Sequence, residues 1–112
     1  MRLRFRAGTV VYAARYAPAA DALGALRPGY AQARHALRGT LLPARDGSEP
    51  AAAGLRRPEE LVLLLPPDAD IAWQDGIYLS PDAAHPAYRV AALERYPLHL
   101  RARMEKEAAH GD

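Results

Sequence analysis

The sequence contains no cysteine, which excludes disulfides and thiolate metal sites at once. Lysine occurs once, at Lys106, against fourteen arginines. With the excess of Ala and Pro, that bias points to a GC-rich coding sequence and lowers the functional weight of any single Arg. Serine occurs only at Ser48 and Ser80, and neither lies in the strand–turn–helix setting of a nucleophile elbow. A Gly-rich phosphate loop is also missing, since Arg45-Asp46-Gly47-Ser48 reads as a turn. The longest strongly apolar run, Leu61 to Leu65, is far short of the ~20 residues that cross a bilayer. The basic start at Met1–Arg6 resembles the head of a signal peptide, but Arg15 and Asp21 interrupt the apolar stretch that must follow. A soluble chain, cytosolic when made and without membrane contact, is therefore expected.

Catalytic constellations are equally sparse. The four histidines, His35, His85, His99 and His110, show no His-x-x-x-His spacing. Only His85 and His99, with Asp82, lie close enough along the chain to suggest a metal site, and four ordinary histidines is the preferred reading. Asp68/Asp70 and Glu59/Glu60 are neighbours in loops or at a strand start, whereas a glycosidase pair faces across a cleft. No enzymatic activity, cofactor or metal is expected.

A length of 112 residues suits one domain with a modest core. Half the residues are apolar, but Ala supplies about half of those, so the core must come from Leu, Val, Ile and the aromatics. The net charge of +2 is unevenly placed. Residues 1–47 carry eight Arg and two Asp (+6), and residues 48–112 carry seven basic and eleven acidic groups (−4). Such asymmetry suits head-to-tail stacking of subunits, and equally a chance distribution in a short chain.

Alternation of period two brackets the chain. Arg2, Arg4 and Arg6 interleave with Leu3, Phe5 and Ala7, and Leu98, Leu100, Ala102 and Met104 interleave with His99, Arg101, Arg103 and Glu105. Thr9–Tyr16, His35–Leu42, Glu60–Leu65, Ile77–Leu79 and Tyr88–Leu93 read as further strands, rich in β-branched, aromatic and Leu residues. Within the first of them, Val10, Tyr12, Ala14 and Tyr16 share one face. Ala17–Gln32 is a connection with a short helical turn expected at Ala19–Leu26. Arg45–Pro58 is a long Gly/Pro/Ser-containing loop, of a length that is usually functional or disordered. The expected fold is all-β: a small, partly open β-barrel of about six short strands with long loops. It forms a single domain over 1–112, with an N-terminal arm at 1–8, a long loop at 45–58 and a tail at 106–112. An exposed strand edge is expected to accept a partner's segment. Trp73 reads as a core or interface plug.

One alternative function rests on aromatics beside basic residues. Tyr12, Arg15 and Tyr16, and Tyr88, Arg89, Arg95 and Tyr96, are the pattern of a small barrel binding single-stranded nucleic acid. The low net charge and near-absence of Lys argue against it.

The order of features resembles the head-completion, or head-tail connector stopper, family of long-tailed double-stranded DNA bacteriophages. The resemblance runs from about Thr9 to Glu105. It consists of the strand Thr9–Tyr16, a loop with Asp21 and Gly24, and the proline-ended segment Leu37–Arg45. A polar loop with Ser48 and Glu49 follows, then the apolar strand and turn at 63–71. Asp75-Gly76-Ile77-Tyr78-Leu79, Tyr88-Arg89-Val90 and the alternating Leu98–Met104 complete it. Each element alone is weak, and the specificity lies in their order. Two features depart from the pattern: the Pro-containing turn Ser80–Ala87, where the family has a glycine, and the Arg-rich start and the tail beyond Glu105. The resemblance implies a structural virion protein of the neck, assembled in the host bacterial cytoplasm as a homo-oligomeric ring. Such a ring closes the DNA channel after packaging and touches portal or adaptor proteins, the tail terminator and, non-specifically, packaged DNA. It also implies that the loop carrying Arg45, Asp46, Glu49, Arg56 and Arg57 faces the channel, and that Arg2, Arg4, Arg6 and Trp73 take part in docking between rings. A tail-terminator-type ring remains open beside the stopper.

Overall fold

A computed structural model describes residues 8–43 and 59–107. The chain forms eight strands: β1 (Thr9–Ala14), β2 (Ala19–Ala20), β3 (Leu26–Arg27), β4 (His35–Pro43), β5 (Glu60–Leu65), β6 (Gly76–Tyr78), β7 (Tyr88–Arg95) and β8 (Leu100–Lys106), of which β8 shows the clearest alternation of apolar and polar residues. Six of them form a closed antiparallel barrel in the order β1-β4-β5-β8-β7-β6, and β2 and β3 make a separate two-stranded hairpin. The described residues contain no helix, and so none that is long and apolar enough to cross a membrane.

The small all-β barrel read from the sequence is the observed fold, but it is closed, not partly open. The last gap is bridged by the three residues of β6, which pair with Tyr12–Ala14 of β1 on one side and with Tyr88 and Arg89 on the other. Beyond β6, Gln74 N–H donates to the Val90 carbonyl and Val90 N–H to the Asp75 carbonyl, at 3.0 and 2.9 Å, carrying the closure further along β7. Each barrel strand thus has a partner on both sides, and the free edge expected for strand addition is not found among them.

Register decides which side chains fill the interior. Val11 faces Leu37, Ala13 faces Ile77, Leu41 faces Leu63, and Leu61, Leu63 and Leu65 face Met104, Ala102 and Leu100. These residues, with Ile71, Tyr88 and Val90, make one buried cluster. Burying each large member contributes about 1.5–3 kcal/mol. A register shift between Val90 and Ala92 inserts one extra residue. That bulge lets Val90 and Leu93, three apart, both pack on the core.

Close packing explains one glycine and backbone conformation another. Gly39 faces inward, where a Cβ would overlap the Leu64 carbonyl oxygen and lie 2.8 Å from Leu65 Cδ2. Gly24, at φ +86°, turns the β2–β3 tip through the left-handed region. The helical turn expected over Ala19–Leu26 is replaced by this hairpin. Asp21 takes over the local hydrogen bonding: its carboxylate accepts from Leu23 N–H at 2.9 Å, Ala25 N–H at 3.0 Å and Arg27 Nε at 3.0 Å. The Arg27 contact and these amides hold its carboxyl below the ordinary range. Pro43 does not stop β4 but is its last paired residue, opposite Leu61. Lys106, placed by the sequence in a tail, ends β8 and pairs with Tyr88.

Candidate functional site

Antiparallel pairing around the whole ring puts alternate connections at opposite ends of the barrel. Residues 15–34, 66–75 and 96–99 leave from one end, and 79–87 and the β4–β5 connection leave from the other. Among the described residues, the exposed large hydrophobics are Leu23, Leu26, Trp73, Tyr96 and Leu98. All five belong to connections of the first end. Leu23 is 94% exposed and Leu98 86%, so the connections that leave from this end carry the exposed large apolar side chains found among the described residues.

The 66–75 connection at that end is held rigidly. Ile71 is buried in the core, and Asp75 is fully buried. Asp75 Oδ2 accepts from Ala72 N–H at 2.9 Å and from Arg15 Nη1 at 2.6 Å, and Arg15 Nη2 also donates to Asp70. Asp75 Oδ1 is buried without a partner. Burial pushes the Asp75 carboxyl above the ordinary range, against the pull of the Ala72 amide and the Arg15 charge. His35 Nε2 donates to the Asp70 carbonyl at 2.6 Å. Gln74 adopts φ +73°, a conformation that a side chain enters only when its surroundings impose it. Out of this fixed frame Trp73 projects, 64% exposed. It is not a core plug.

A second feature is a groove of about 510 Å³, lined by residues that include Arg27, Tyr30, Arg34, Tyr78, His85 and Pro86. The Arg34 guanidinium carbon lies 3.7 Å above the centre of the Tyr78 ring, and Arg34 Nη1 donates to the Pro81 carbonyl at 3.0 Å. Tyr30 donates to Glu107 Oε2 at 2.8 Å and meets Tyr16 edge-on at 5.8 Å. Burial, and then the Glu107 acceptor, push the Tyr30 phenol well above its ordinary value. Gly76 makes this possible, because a Cβ there would lie 2.9 Å from the Tyr30 ring.

The outer face of β5, β8 and β7 is a lattice of ion pairs. Arg101 meets Glu94 at 2.9 Å, Arg103 meets Glu105 at 3.2 Å and Glu60 at 3.8 Å, and Arg89 meets Glu105 at 3.9 Å. Exposed pairs of this type contribute at most about 1 kcal/mol each. They make the face hydrophilic.

Of the residues singled out in the sequence, Arg2, Arg4, Arg6, Arg45, Asp46, Glu49, Arg56 and Arg57 lie outside the described residues. His85 and Asp82 sit on the 79–87 connection and His99 on the opposite end, so the structure does not bring the three together. His99 instead stacks on Tyr96, with ring centres 4.8 Å apart. The two aromatic–basic sets are also dispersed. Tyr88 is fully buried in the core, Arg15 is engaged by two aspartates, and Arg89 lies beside Glu105 and Glu107. Arg34 and its groove went unremarked in the sequence. The available signal was Asp21 with Gly24, which marks a tight turn and hence a chain that doubles back over β6.

No protein-family model, curated protein or solved structure matches the chain.

Proposed function

We propose that this protein is a structural ring subunit of a bacteriophage head-to-tail connector, of the stopper type, without catalytic activity. The reading is carried by one observation: a small closed barrel presents all of its exposed large apolar side chains, among the described residues, on the connections of one end. A subunit of a stacked assembly needs such a sided surface, with one end to dock and a hydrophilic wall between. The ion-paired outer face of β5, β8 and β7 supplies that wall. On this reading the charged connection between Pro43 and Glu59, with Arg45, Asp46, Glu49, Arg56 and Arg57, leaves from the far end toward the DNA channel.

The ordered features from Thr9 to Glu105 that resemble the connector family support the same conclusion, as does a fold that is small, β-rich and barrel-shaped. Single-strand binding is supported less well, because Tyr88 is in the core and Arg15 and Arg89 face carboxylates. Negative-stain electron microscopy of the concentrated protein is the direct test, and annular particles with an open centre are the expected result. Monomers that instead bind an oligonucleotide, with an affinity falling steeply as salt rises, would replace the connector by a nucleic-acid-binding barrel.

A further inference from the structure

Two surfaces of complementary charge and side-chain chemistry lie on one chain. The first is the 66–75 connection. Ile71 and Asp75 anchor it, so Trp73 stands in water on a frame that is already ordered. A tryptophan carried on an ordered backbone loses less freedom on binding than one on a loose loop, and Trp is among the residues most enriched at interface hot spots. The same connection carries Asp68, Asp70 and Asp75 and no basic residue. Arg15 accounts for Asp70 and Asp75, whereas Asp68 is exposed and has no ion-pair partner among the described residues.

The second surface is the groove. Arg27, Arg34 and His85 line it, with Pro28 and Pro86 as apolar neighbours and no carboxylate. Arg34 is fixed between Tyr78 and the Pro81 carbonyl, and no carboxylate partners it among the described residues. One face of its guanidinium is taken by the tyrosine. The other face suits an indole, and the remaining N–H edge suits a carboxylate. Tyr78 is covered by Arg34, and Tyr30 is committed to Glu107 and Tyr16, so the groove is poorly equipped to stack nucleic-acid bases.

We propose that this groove receives the 66–75 connection of a second copy of the chain, with Trp73 seated against Arg34 and Asp68 meeting its free guanidinium edge. The inference rests on the ring reading above and adds the surfaces through which neighbouring subunits touch.

Charge reversal tests it, read by sedimentation velocity and native mass spectrometry, with circular dichroism to verify folding. Arg34→Glu and Asp68→Arg each place like charges across the contact, and Trp73→Ala removes the anchor. Each is expected to weaken self-association at least ~30-fold. Arg38→Glu, on the outer face of β4, is expected to leave it unchanged. Mixing the Arg34→Glu and Asp68→Arg chains restores opposite charges at every contact and is expected to restore assembly, which a misfolded variant cannot do. The inference is overturned if Arg34→Glu assembles like the unmodified chain, if Arg38→Glu weakens assembly equally, or if the mixture fails to recover. Rings that persist in all the variants would remove this contact and leave the connector reading standing. An unmodified chain that stays monomeric to ~1 mM and forms no annular particles would remove both.

Discussion

Replacing Gly39 by alanine sets two effects of opposite sign against each other. In an ordinary strand the change restricts the unfolded chain and stabilises by about 0.4–1 kcal/mol. Here the new methyl group would meet the Leu64 carbonyl oxygen and Leu65 Cδ2, 2.8 Å away. Overpacking of this kind costs about 1–3 kcal/mol. Because the obstacle is backbone and not a movable side-chain tip, relief requires β4 and β5 to separate. That strains the ladder around Thr40 and Leu64, where each hydrogen bond contributes about 0.5–1.5 kcal/mol. The clash wins, and the net loss is about 2–3 kcal/mol, a large share of the 5–15 kcal/mol typical of a domain. It corresponds to a fall of roughly 8–15 °C in Tm. Gly24→Ala is the matched control, since nothing lies within 4 Å of its added Cβ and only the left-handed backbone resists it. Its cost is about 1 kcal/mol, confined to the hairpin tip. Urea denaturation followed by circular dichroism measures both. A Gly39→Ala chain as stable as the parent, or less damaged than Gly24→Ala, would refute the inward-facing contact with β5.

Substitutions at two further positions probe the frame around Trp73 and the groove. Asp75→Ala leaves the Ala72 amide without its acceptor and Arg15 without one of two partners, and is expected to cost about 2–3 kcal/mol in urea denaturation; Asp75→Asn, which still accepts from Ala72, is expected to cost distinctly less. The folded-state pKa of Tyr30 is raised, so above its ordinary 10 the unfolded chain releases a proton that the folded chain retains, and stability falls as pH rises. Alkaline denaturation of Tyr30→Phe is expected to lack this contribution, and an unaltered alkaline limb would show that burial and the Glu107 acceptor do not raise the phenol.

The strands were legible where one face alone is apolar. Leu100, Ala102 and Met104 are buried as their alternation implies, while Leu98 is exposed because β8 begins after it. In β1 both faces are apolar, so parity could not be read locally. Pairing of Val11 with Leu37 and of Ala13 with Ile77 selects the interior set. The helix propensity of Ala around residue 20 yielded to the Asp21 carboxylate and Gly24, whose turn chemistry is more specific than a composition. Closure was hidden because it depends on β6, three residues whose two partners are distant in sequence. Trp73 stood out as the one tryptophan, but the sequence left core and interface open, and only its 64% exposure excludes the core. Arg34, one arginine among fourteen, acquires meaning only when folding sets Tyr78 beneath it.

A ladder that returns to its own beginning gives every barrel strand among the described residues a hydrogen-bonded neighbour on both sides, and so leaves no whole strand free to template another chain. Copies can therefore be crowded at very high local density without the wall seeding fibrils. Any assembly of such copies must therefore be specified by side chains and loops, which is where the charge reversals proposed above would act.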